Sequence, residues 1–385
     1  MIALHTGDCL DVLTTLTPES VDSIVVDPPS SIAFMGVDWD KDRGGRGAWV
    51  AYWTARLEAA MRVLKPGHFA LIWAIPRRSH WTATAVEDAG FEIRDVITHL
   101  FGQGYPKSKA SLKPASEHWI LARKPGPQLP LNIDACRIFT DWSERSEAWK
   151  RSGHSAKPEA DKIAAPPGAG IVCHPGGRWP ANVALSHVEG ECELVGRRRV
   201  RANGSVSGTE PSALTKNALG HRARVPFMAH GADGTEEVEA WKCADDCPVR
   251  LLDEQAGATG AHGRGEQHYG EKRHVYGKGL GARGAVKRDK GGASRFFYCG
   301  KATRADRGEG NDHPTVKPFG LMRHLCRLVT PPGGTVLDLT MGSGSTGKAA
   351  LAEGLSFIGI DLDSHNVEIA RGRIEAVDPL LARSA

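Results

Sequence analysis

Apolar and polar positions along the chain alternate in a way that predicts short buried strands separated by helices, at both ends of the sequence. Near the N-terminus the pattern predicts strands over residues 2–4, 23–26, 68–74, 91–100 and 117–122, and helices over residues 9–16, 49–64 and 79–89. Near the C-terminus it predicts helices over residues 319–329, 345–353 and 365–376, and strands over residues 335–339 and 355–360. Strands that alternate with helices are typical of an α/β fold with a mainly parallel sheet. We therefore expect residues 1–125 and 311–375 to build one sheet together.

The middle of the chain lacks this alternation. From about residue 126 to residue 310, periodic apolar segments are scarce and Gly, Pro, Arg and Lys are frequent. The pattern therefore predicts three parts: residues 1–125, an inserted region over 126–310, and residues 311–385. Within the insertion, residues 262–301 hold ten Lys and Arg against three Asp and Glu. Such a segment suits contact with phosphates, and a disordered solvated insertion is the alternative. A second candidate surface consists of Arg197, Arg198, Arg199 and Arg201.

Composition then limits the class of protein. The chain has 385 residues, of which 41% are hydrophobic and 24% charged, so it is expected to be globular with room for two domains. The formal net charge of +4 is compatible with a polyanionic partner. Neither a signal peptide nor an apolar stretch of about 18 residues is present, so we expect a cytoplasmic protein without a membrane partner. In the cytoplasm, the eight cysteines favour free thiols or metal ligands over disulfides.

A glycine-rich turn follows the predicted strand over residues 335–339. Gly342, Gly344 and Gly347 have the G-x-G-x-x-G spacing that lets the backbone turn tightly and approach a ligand. Both NAD and S-adenosylmethionine fit such a unit. Asp338, just before the glycines, favours S-adenosylmethionine, because a carboxylate there can meet an ammonium group but would repel a pyrophosphate. Asp361 ends the next strand and can accept hydrogen bonds from ribose hydroxyls. The candidate cofactor ligands in this stretch are Asp338, Gly342, Gly344, Ser345, Thr346 and Asp361.

A second motif, Asp27-Pro28-Pro29, closes the predicted strand over residues 23–26, as Gly7-Asp8 closes the first strand. Two consecutive prolines stop a following helix and fix the backbone. That rigidity presents the Asp27 carboxylate and the Pro28 carbonyl on one side, as two acceptors for a single amino group. A plain Asp-Pro turn is the alternative interpretation.

Three motifs in this order resemble the DNA amino-methyltransferases that act on exocyclic nitrogens. The segment GDCLDVL…VDSIVVDPP is followed far downstream by HPTVKP and LDLTMGSGSTG. The order, with D-P-P first and the glycine motif last, is similar to the circularly permuted β group of that family. The segments DPPSSIAFMGVDWD, RWPANV and SRFFYCGKA further resemble site-specific methyltransferases of phages and prophages. The resemblance implies a Rossmann-like methyltransferase sheet, circularly permuted, with a large irregular inserted target-recognition region.

The resemblance also implies roles for individual residues. S-adenosylmethionine would be the cofactor, and the catalytic motif would comprise Asp27, Pro28, Pro29 and Ser30. The cofactor ligands that the resemblance adds are Asp8, His313, Thr315 and Lys317. Two positions depart from the family pattern: Ser30 replaces an aromatic residue that stacks on the flipped base, and Leu339-Thr340 replace Pro-Phe of a D-P-F motif. Phe34 or Trp39 would then supply the stacking, and packing of their loop against the sheet is the alternative.

The favoured function is methylation of an exocyclic amine in double-stranded DNA. Adenine N6 is favoured over cytosine N4, because Asp rather than Ser precedes the two prolines. The base would be flipped out of the duplex to reach the pocket. Methylation of RNA or of a protein glutamine amide stays open, as does a DNA-binding protein with a cofactor site and no activity. The expected setting is a phage or its bacterial host cell, and a homodimer is an alternative to a monomer.

The inserted region also holds a candidate metal site. His187 and Cys192 form one close pair in the sequence, and Cys243 and Cys247 form another. Four such ligands suit tetrahedral zinc, and an insertion with little apolar core would be stabilised by one. Unliganded thiols are the alternative, and Cys173-His174 could replace one of the pairs.

Overall fold

A nine-stranded sheet organises the protein in this computed structural model. The structure describes residues 1–33, 36–101, 112, 114–138, 179–188, 191–201, 235–245, 247–256, 294, 297–300, 306–308 and 310–377. The strands are β1 (Ile2–Thr6), β2 (Val21–Val26), β3 (Leu64–Ala74), β4 (Glu92–Leu100), β5 (Ser116–Arg123), β6 (Val183–Ser186), β7 (Glu193–Arg201), β8 (Thr235–Lys242), β9 (Tyr298–Gly300), β10 (Thr335–Asp338) and β11 (Ser356–Asp361). The helices are α1 (Cys9–Thr15), α2 (Gly45–Val63), α3 (Ser79–Asp88), α4 (Pro248–Ala256), α5 (Phe319–Val329), α6 (Ser345–Ala352) and α7 (Ser364–Glu375).

The strand order of the sheet is β1-β11-β10-β2-β3-β5-β4-β6-β9. Strand β5 runs antiparallel to both of its neighbours, and the other paired neighbours in this sheet are parallel. The two C-terminal strands β10 and β11 therefore lie between β1 and β2. This arrangement confirms the predicted mixed α/β sheet, and it brings the carboxyl ends of four neighbouring strands to one edge.

Alternating side chains of the central strands bury the two faces of the sheet against different helices. Ile24 and Val26 of β2 belong to a cluster with residues of α1, α2 and α3, while Val25 belongs to a cluster with residues of α5, α6 and α7. Because successive side chains of a strand point to opposite faces, a continuous apolar run is buried on both sides. The result is a three-layer core in which the sheet is covered by helices on both faces.

The start of β3 differs from the prediction. The strand predicted from residue 68 begins at Leu64, so that Lys65, Pro66 and Gly67 lie within its bounds. Leu64 pairs with Val21 and Phe69 pairs with Ser23, so residues 65–68 loop out of the ladder between these two pairs. A proline and a glycine with φ of 78° are tolerated at such an irregularity because it needs no regular ladder hydrogen bonds.

Two short strands of the central region, β6 and β9, extend the sheet beyond β4. A separate two-stranded antiparallel ribbon is formed by β7 and β8. The central region thus continues the sheet at one edge and adds a ribbon next to it in sequence. Within the described ranges, no helix combines the length and the apolar character needed to cross a membrane.

Candidate functional site

Asp27 follows the last residue of β2 and forms an ion pair with Lys317. The Lys317 Nζ lies 3.2 Å from Oδ2 of Asp27 and 3.3 Å from Oε2 of Glu117. Burial raises the pKa of the Asp27 carboxyl, and the Lys317 ammonium opposes that rise. Burial works against the charged form of Lys317, but the two carboxylates outweigh it and the pKa of Lys317 is raised. The ammonium therefore stays charged and favours the ionised form of Asp27, whose side chain remains 26% exposed.

Glu117 carries a chain of hydrogen bonds behind this ion pair. Its Oε2 accepts a hydrogen bond from Trp73 Nε1 at 2.6 Å, and its Oε1 lies 2.8 Å from His99 Nδ1. The other ring nitrogen of His99 lies 2.8 Å from the Ser186 hydroxyl. Burial alone would raise the pKa of Glu117, but Lys317 and His99 outweigh burial and lower that pKa to about 2. Glu117 is therefore a permanent anion that holds Lys317 in place, with the Lys317 Nζ 3.9 Å from the centre of the Trp73 ring.

The motifs indicated Lys317 but neither this second carboxylate nor its other partners Trp73 and His99. Glu117 and His99 lie opposite each other on β5 and β4, near the two strand ends. Because β5 is antiparallel, its beginning reaches the same edge of the sheet as the carboxyl ends of the parallel strands. Only the strand pairing brings these residues beside Asp27.

The glycine turn lies directly beside Asp27, because β10 and β2 are neighbours in the sheet. The Thr340 hydroxyl donates a hydrogen bond of 3.0 Å to the main-chain carbonyl of Asp27. Asp338 is buried and accepts hydrogen bonds from Thr340 N at 3.1 Å and from the Thr346 hydroxyl at 2.6 Å. Burial raises the pKa of Asp338 to about 7. Thr340, one of the residues that depart from the family pattern, thus connects the two motifs.

The backbone of the turn is shaped for close approach. Gly342 and Gly344 have φ of 51° and 80°, the left-handed region that favours glycine. A Cβ atom on Gly342 would lie 2.9 Å from Nε2 of His313. The Gly342 N–H donates to Oδ2 of Asp361 at 2.9 Å, so the acid at the end of β11 points into the turn. Helix α6 begins at Ser345, the next predicted ligand.

His313 connects the HPTVKP segment to this turn. Its Nδ1 lies 2.8 Å from the Thr315 carbonyl oxygen and 3.3 Å from the Thr315 nitrogen, and its Nε2 faces Gly342. The ring stacks against Trp39, with centroids 6.1 Å apart and planes 10° apart. His313 therefore lies at the glycine turn with Thr315 beside it, whereas Lys317 lies beside Asp27.

The loop after Asp27 is held by main-chain contacts. Pro28 is buried, Trp49 Nε1 donates to the Pro29 carbonyl at 3.2 Å, and Arg78 donates to the Ser30 carbonyl at 2.9 Å. Ser31 and Ala33 have φ of 54° and 52°, a strained backbone for residues with a Cβ atom. Trp39 is 36% exposed, so it remains a candidate for stacking on a base. Phe34, the other candidate, lies outside the described residues.

Asp8 lies at the same edge, after β1, but is engaged in local contacts. Its Oδ1 accepts a hydrogen bond from Leu10 N and so caps helix α1, and its Oδ2 pairs with Arg56 at 2.8 Å. The neighbouring Gly7 N–H donates to the Asp361 carbonyl at 2.9 Å. Asp8 thus lies near the predicted ribose ligand while it stabilises the first helix.

The four predicted metal ligands come together at the far end of the sheet. His187 follows β6, Cys192 precedes β7, Cys243 follows β8, and Cys247 precedes α4. Their ligand atoms all lie within 4.8 Å of one another. His187, Cys192 and Cys247 are buried, and Cys243 is half-buried. The ribbon of β7 and β8 leads away from this cluster and carries Arg197, Arg198 and Arg199, all exposed.

The other predicted DNA-contacting segment, residues 262–301, lies outside the described residues except for positions 294 and 297–300. The substitute metal pair Cys173-His174 also lies outside them.

Comparison with known proteins gives one match that spans most of the chain. The family model of N6_N4_Mtase, described as a DNA methylase, matches residues 21–372. The Type II methyltransferase M2.DpnII of Streptococcus pneumoniae is 38% identical over 79 residues, which are 20% of this chain and 30% of that protein. The Type II methyltransferase M.BglI of Bacillus subtilis is 39% identical over 67 residues, 17% of this chain and 19% of that protein. The matched part of the chain thus spans less than a third of either relative.

Two solved structures are similar over nearly the whole chain at low identity. The PvuII DNA methyltransferase, described as cytosine-N4-specific, has a TM-score of 0.45 and 12% identity, with 99% of this chain and 89% of that chain covered. The M1.HpyAVI–SAM complex has a TM-score of 0.42 and 14% identity, with 97% and 99% covered.

Proposed function

This chain belongs to the N6/N4 DNA methylase family, and from that premise we propose that it transfers a methyl group from S-adenosylmethionine to the exocyclic amine of a base in double-stranded DNA. The observation that carries the proposal is the direct contact between the D-P-P motif and the glycine turn. Asp27 and the glycine turn follow neighbouring parallel strands, and the Thr340 hydroxyl bonds the Asp27 carbonyl at 3.0 Å. An acceptor for an amine and a candidate cofactor turn thereby lie side by side, as methyl transfer requires.

The residues of the turn fit the proposed cofactor. Gly342 lacks the side chain that would collide with His313, and its backbone is left-handed, so a ligand can approach the main chain. We propose that Asp361 binds the ribose hydroxyls and that Asp338 meets the ammonium group of the methionine portion. A cationic group there would favour ionised Asp338, whose pKa burial now raises to about 7. When bound, S-adenosylmethionine supplies an electrophilic methyl group.

Asp27 and the Pro28 carbonyl would accept hydrogen bonds from the target amine and orient its lone pair. The amine nitrogen becomes positive as the methyl group arrives, so an ionised Asp27 stabilises the transition state more than the ground state. Lys317 favours the ionised form of Asp27, and Glu117 fixes Lys317. These two residues position the acceptor without touching the amine themselves. No covalent bond to the protein is needed, and positioning supplies most of the rate.

The finer assignments extend this proposal. We favour adenine N6 over cytosine N4, with a base flipped into the pocket and Trp39 stacking on it. The setting would be the cytoplasm of a bacterial host, with the gene carried by the host or a phage. A protein that binds the cofactor without activity is less favoured, because Thr340, one of the two departures from the family pattern, joins the motifs.

Mass spectrometry of nucleosides tests the proposal. Double-stranded DNA is incubated with the protein and S-adenosylmethionine carrying an isotopically labelled methyl group, then digested. We expect labelled N6-methyl-2′-deoxyadenosine, and labelled N4-methyl-2′-deoxycytidine would replace the base assignment. The matched control is Asp27→Asn, which removes the charge while keeping one acceptor. Absence of label in DNA, with cofactor binding demonstrated by calorimetry, would refute the activity and favour a binding protein.

A further inference from the structure

The cluster of His187, Cys192, Cys243 and Cys247 has the dimensions of a metal site. The Sγ atoms of Cys243 and Cys247 lie 3.4 Å and 3.5 Å from Nδ1 of His187. A tetrahedral zinc ion, with bonds of about 2.3 Å to sulfur and about 2.0–2.1 Å to nitrogen, separates sulfur from nitrogen by about 3.6 Å and two sulfurs by about 3.8 Å. The four ligand atoms are within 4.8 Å of one another, so a small inward shift closes a tetrahedron.

The chemistry of these side chains also favours a metal site over a cluster of unliganded, packed side chains. All three cysteines are free thiols, although their sulfurs are close together, and no disulfide has formed between them. Thiolate and imidazole ligands suit zinc, and three cysteines with one histidine are a common structural set. The ring of His187 stacks against Trp241 with centroids 4.0 Å apart, which fixes the direction of Nδ1. The opposite nitrogen, Nε2, is buried without a hydrogen-bond partner among the described residues.

The region around this cluster has few other buried apolar side chains to stabilise it. In the described part of the chain, the apolar cluster here contains five buried residues, and two of them are the ligands Cys192 and Cys247. Each of the two clusters on the main sheet contains many more buried side chains. A small apolar cluster alone is a weak anchor for a ribbon, whereas a bound metal contributes its binding energy directly to folding.

The ligands lie where the ribbon meets the sheet. Cys192 directly precedes β7 and Cys243 directly follows β8, so both strands are attached at the same end. His187 directly follows β6, the strand that pairs with β4 of the main sheet. A metal bound by all three would fix the base of the ribbon to the sheet edge.

We propose that His187, Cys192, Cys243 and Cys247 bind one structural zinc ion, and that this ion fixes the β7–β8 ribbon so that its exposed arginines contact DNA. A two-stranded ribbon fits the major groove, and arginines contact phosphates. The DNA-contact part rests on the proposed function, whereas the zinc part does not. Elemental analysis therefore separates the two, because it needs neither cofactor nor DNA.

The test measures zinc in the full-length protein, purified without chelators. We expect about one equivalent per chain in the wild type and at most a few tenths in Cys247→Ser. The matched control is Cys136→Ser, another buried free thiol that lies in the main core and should keep the full equivalent. Less than a few tenths of an equivalent in the wild type, or a full equivalent in Cys247→Ser, would overturn the zinc site.

A second measurement uses only wild-type protein, so it tests the metal site even if Cys247→Ser fails to fold. Wild-type protein is stripped with a chelator and reloaded with cobalt, and the visible absorption of a tetrahedral cobalt–thiolate centre is recorded. We expect that absorption together with protection of the ribbon from limited proteolysis, both lost in the stripped protein. Octahedral cobalt spectra, or equal proteolysis of the ribbon with and without metal, would contradict the structural role. Loss of methyl transfer with zinc still bound would refute the proposed function and leave the zinc site standing.

Discussion

The two ends of the large sheet, the strands from β1 to β2 and those from β4 to β9, are built by different kinds of interaction. At Asp27 the side chains meet because parallel strands place their carboxyl ends side by side, above a thick core of Leu, Ile, Val and Trp. At the cluster of His187 and Cys247 the core is small, and the four polar or soft side chains are themselves much of what is buried. The first end gains its rigidity from hydrophobic burial, and the second would gain it from the proposed metal ion.

A short path of residues connects these two ends. Ser186 closes the hydrogen-bonded chain that runs through His99 and Glu117 to Lys317, and His187, the next residue, is one of the four proposed metal ligands. Strand β6 therefore contributes to both ends: its last residue, Ser186, belongs to the hydrogen-bonded chain, and the next residue, His187, belongs to the cysteine cluster. Variants that change one end, assayed for their effects at both ends, will show whether β6 couples the two.

The largest effect is expected from Asp27→Ala. Losing a group that acts in the transition state typically costs on the order of 3–4 kcal/mol, or about 100- to 1000-fold in rate. We expect a fall of this size in single-turnover methyl transfer, with cofactor affinity within a few-fold and zinc content unchanged. Asp22→Ala is the control, because Asp22 lies at the other end of β2 and pairs with Lys65. A rate for Asp27→Ala within about threefold of the wild type would show that Asp27 is not the acceptor.

The strands around Asp27 were largely predictable from sequence, but the ion-pair network that includes Glu117 was not. Apolar runs ending in Asp27, Asp338 and Asp361 predicted both the strands and their meeting at one edge, because parallel topology makes that edge common to them all. Glu117 could not be predicted, since its place depends on β5 running antiparallel. The direction of a strand is set by long-range pairing and leaves no local periodicity.

The cluster shows the opposite balance. Its ligands were predicted from residue type and spacing, and the structure brings all four together. The ribbon between them was not predicted, because the alternation of β7 and β8 is obscured by a run of arginines on one strand and of glutamates on the other. Register explains the pattern: Arg197 and Arg199 lie opposite Glu239 and Glu237.

The next effect concerns the cofactor. Asp361→Ala removes the acceptor of the Gly342 N–H and the proposed ribose ligand. A hydrogen bond to a charged group contributes about 1.5–3 kcal/mol, so cofactor affinity should fall about 10- to 150-fold by calorimetry. Asp363→Ala is the matched control, since that acid caps helix α7 and should leave affinity unchanged. Equal affinities for Asp361→Ala and the wild type would remove Asp361 from the site. Zinc content should be the same in all three proteins.

The ion-pair network predicts two pH shifts of opposite sign. The ionised form of Asp27 is required, so the rate falls as pH drops through its raised pKa. Lys317→Gln removes the charge that lowers the pKa of Asp27, so the acidic limb of the pH–rate profile should move to higher pH. Glu117→Gln removes a charge that raises it, so the limb should move to lower pH. Lys317→Arg keeps the charge and serves as the control.

Single-turnover rates across the acidic range measure both shifts. Shifts in the same direction would exclude Asp27 as the titrating group, and unchanged limbs would separate its ionisation from the network. Since Ser186 lies at the end of the same chain, the metal-stripped protein provides a further comparison. A limb that moves on removal of zinc would show that β6 couples the two ends.

The smallest effect is expected from the ribbon itself, through Arg198→Ala. Each phosphate contact that is lost makes the dependence of log affinity on log salt shallower by about 0.9, so the affinity ratio between 50 and 200 mM salt should shrink by roughly three- to fourfold. Arg198 is exposed on β7, whereas the control Arg250 on α4 is already paired with Asp245 and Glu254, and Arg250→Ala should leave the slope unchanged. Binding of a duplex is titrated by fluorescence anisotropy at several salt concentrations.

Because the cofactor site lies at the other end of the sheet, Arg198→Ala should leave calorimetric cofactor affinity unaltered. An unchanged slope for Arg198→Ala would mean that position 198 makes no phosphate contact, even if zinc still holds the ribbon. If metal-stripped wild type loses more of the slope than Arg198→Ala does, the metal orders the ribbon as a whole and a single arginine is one contact among several.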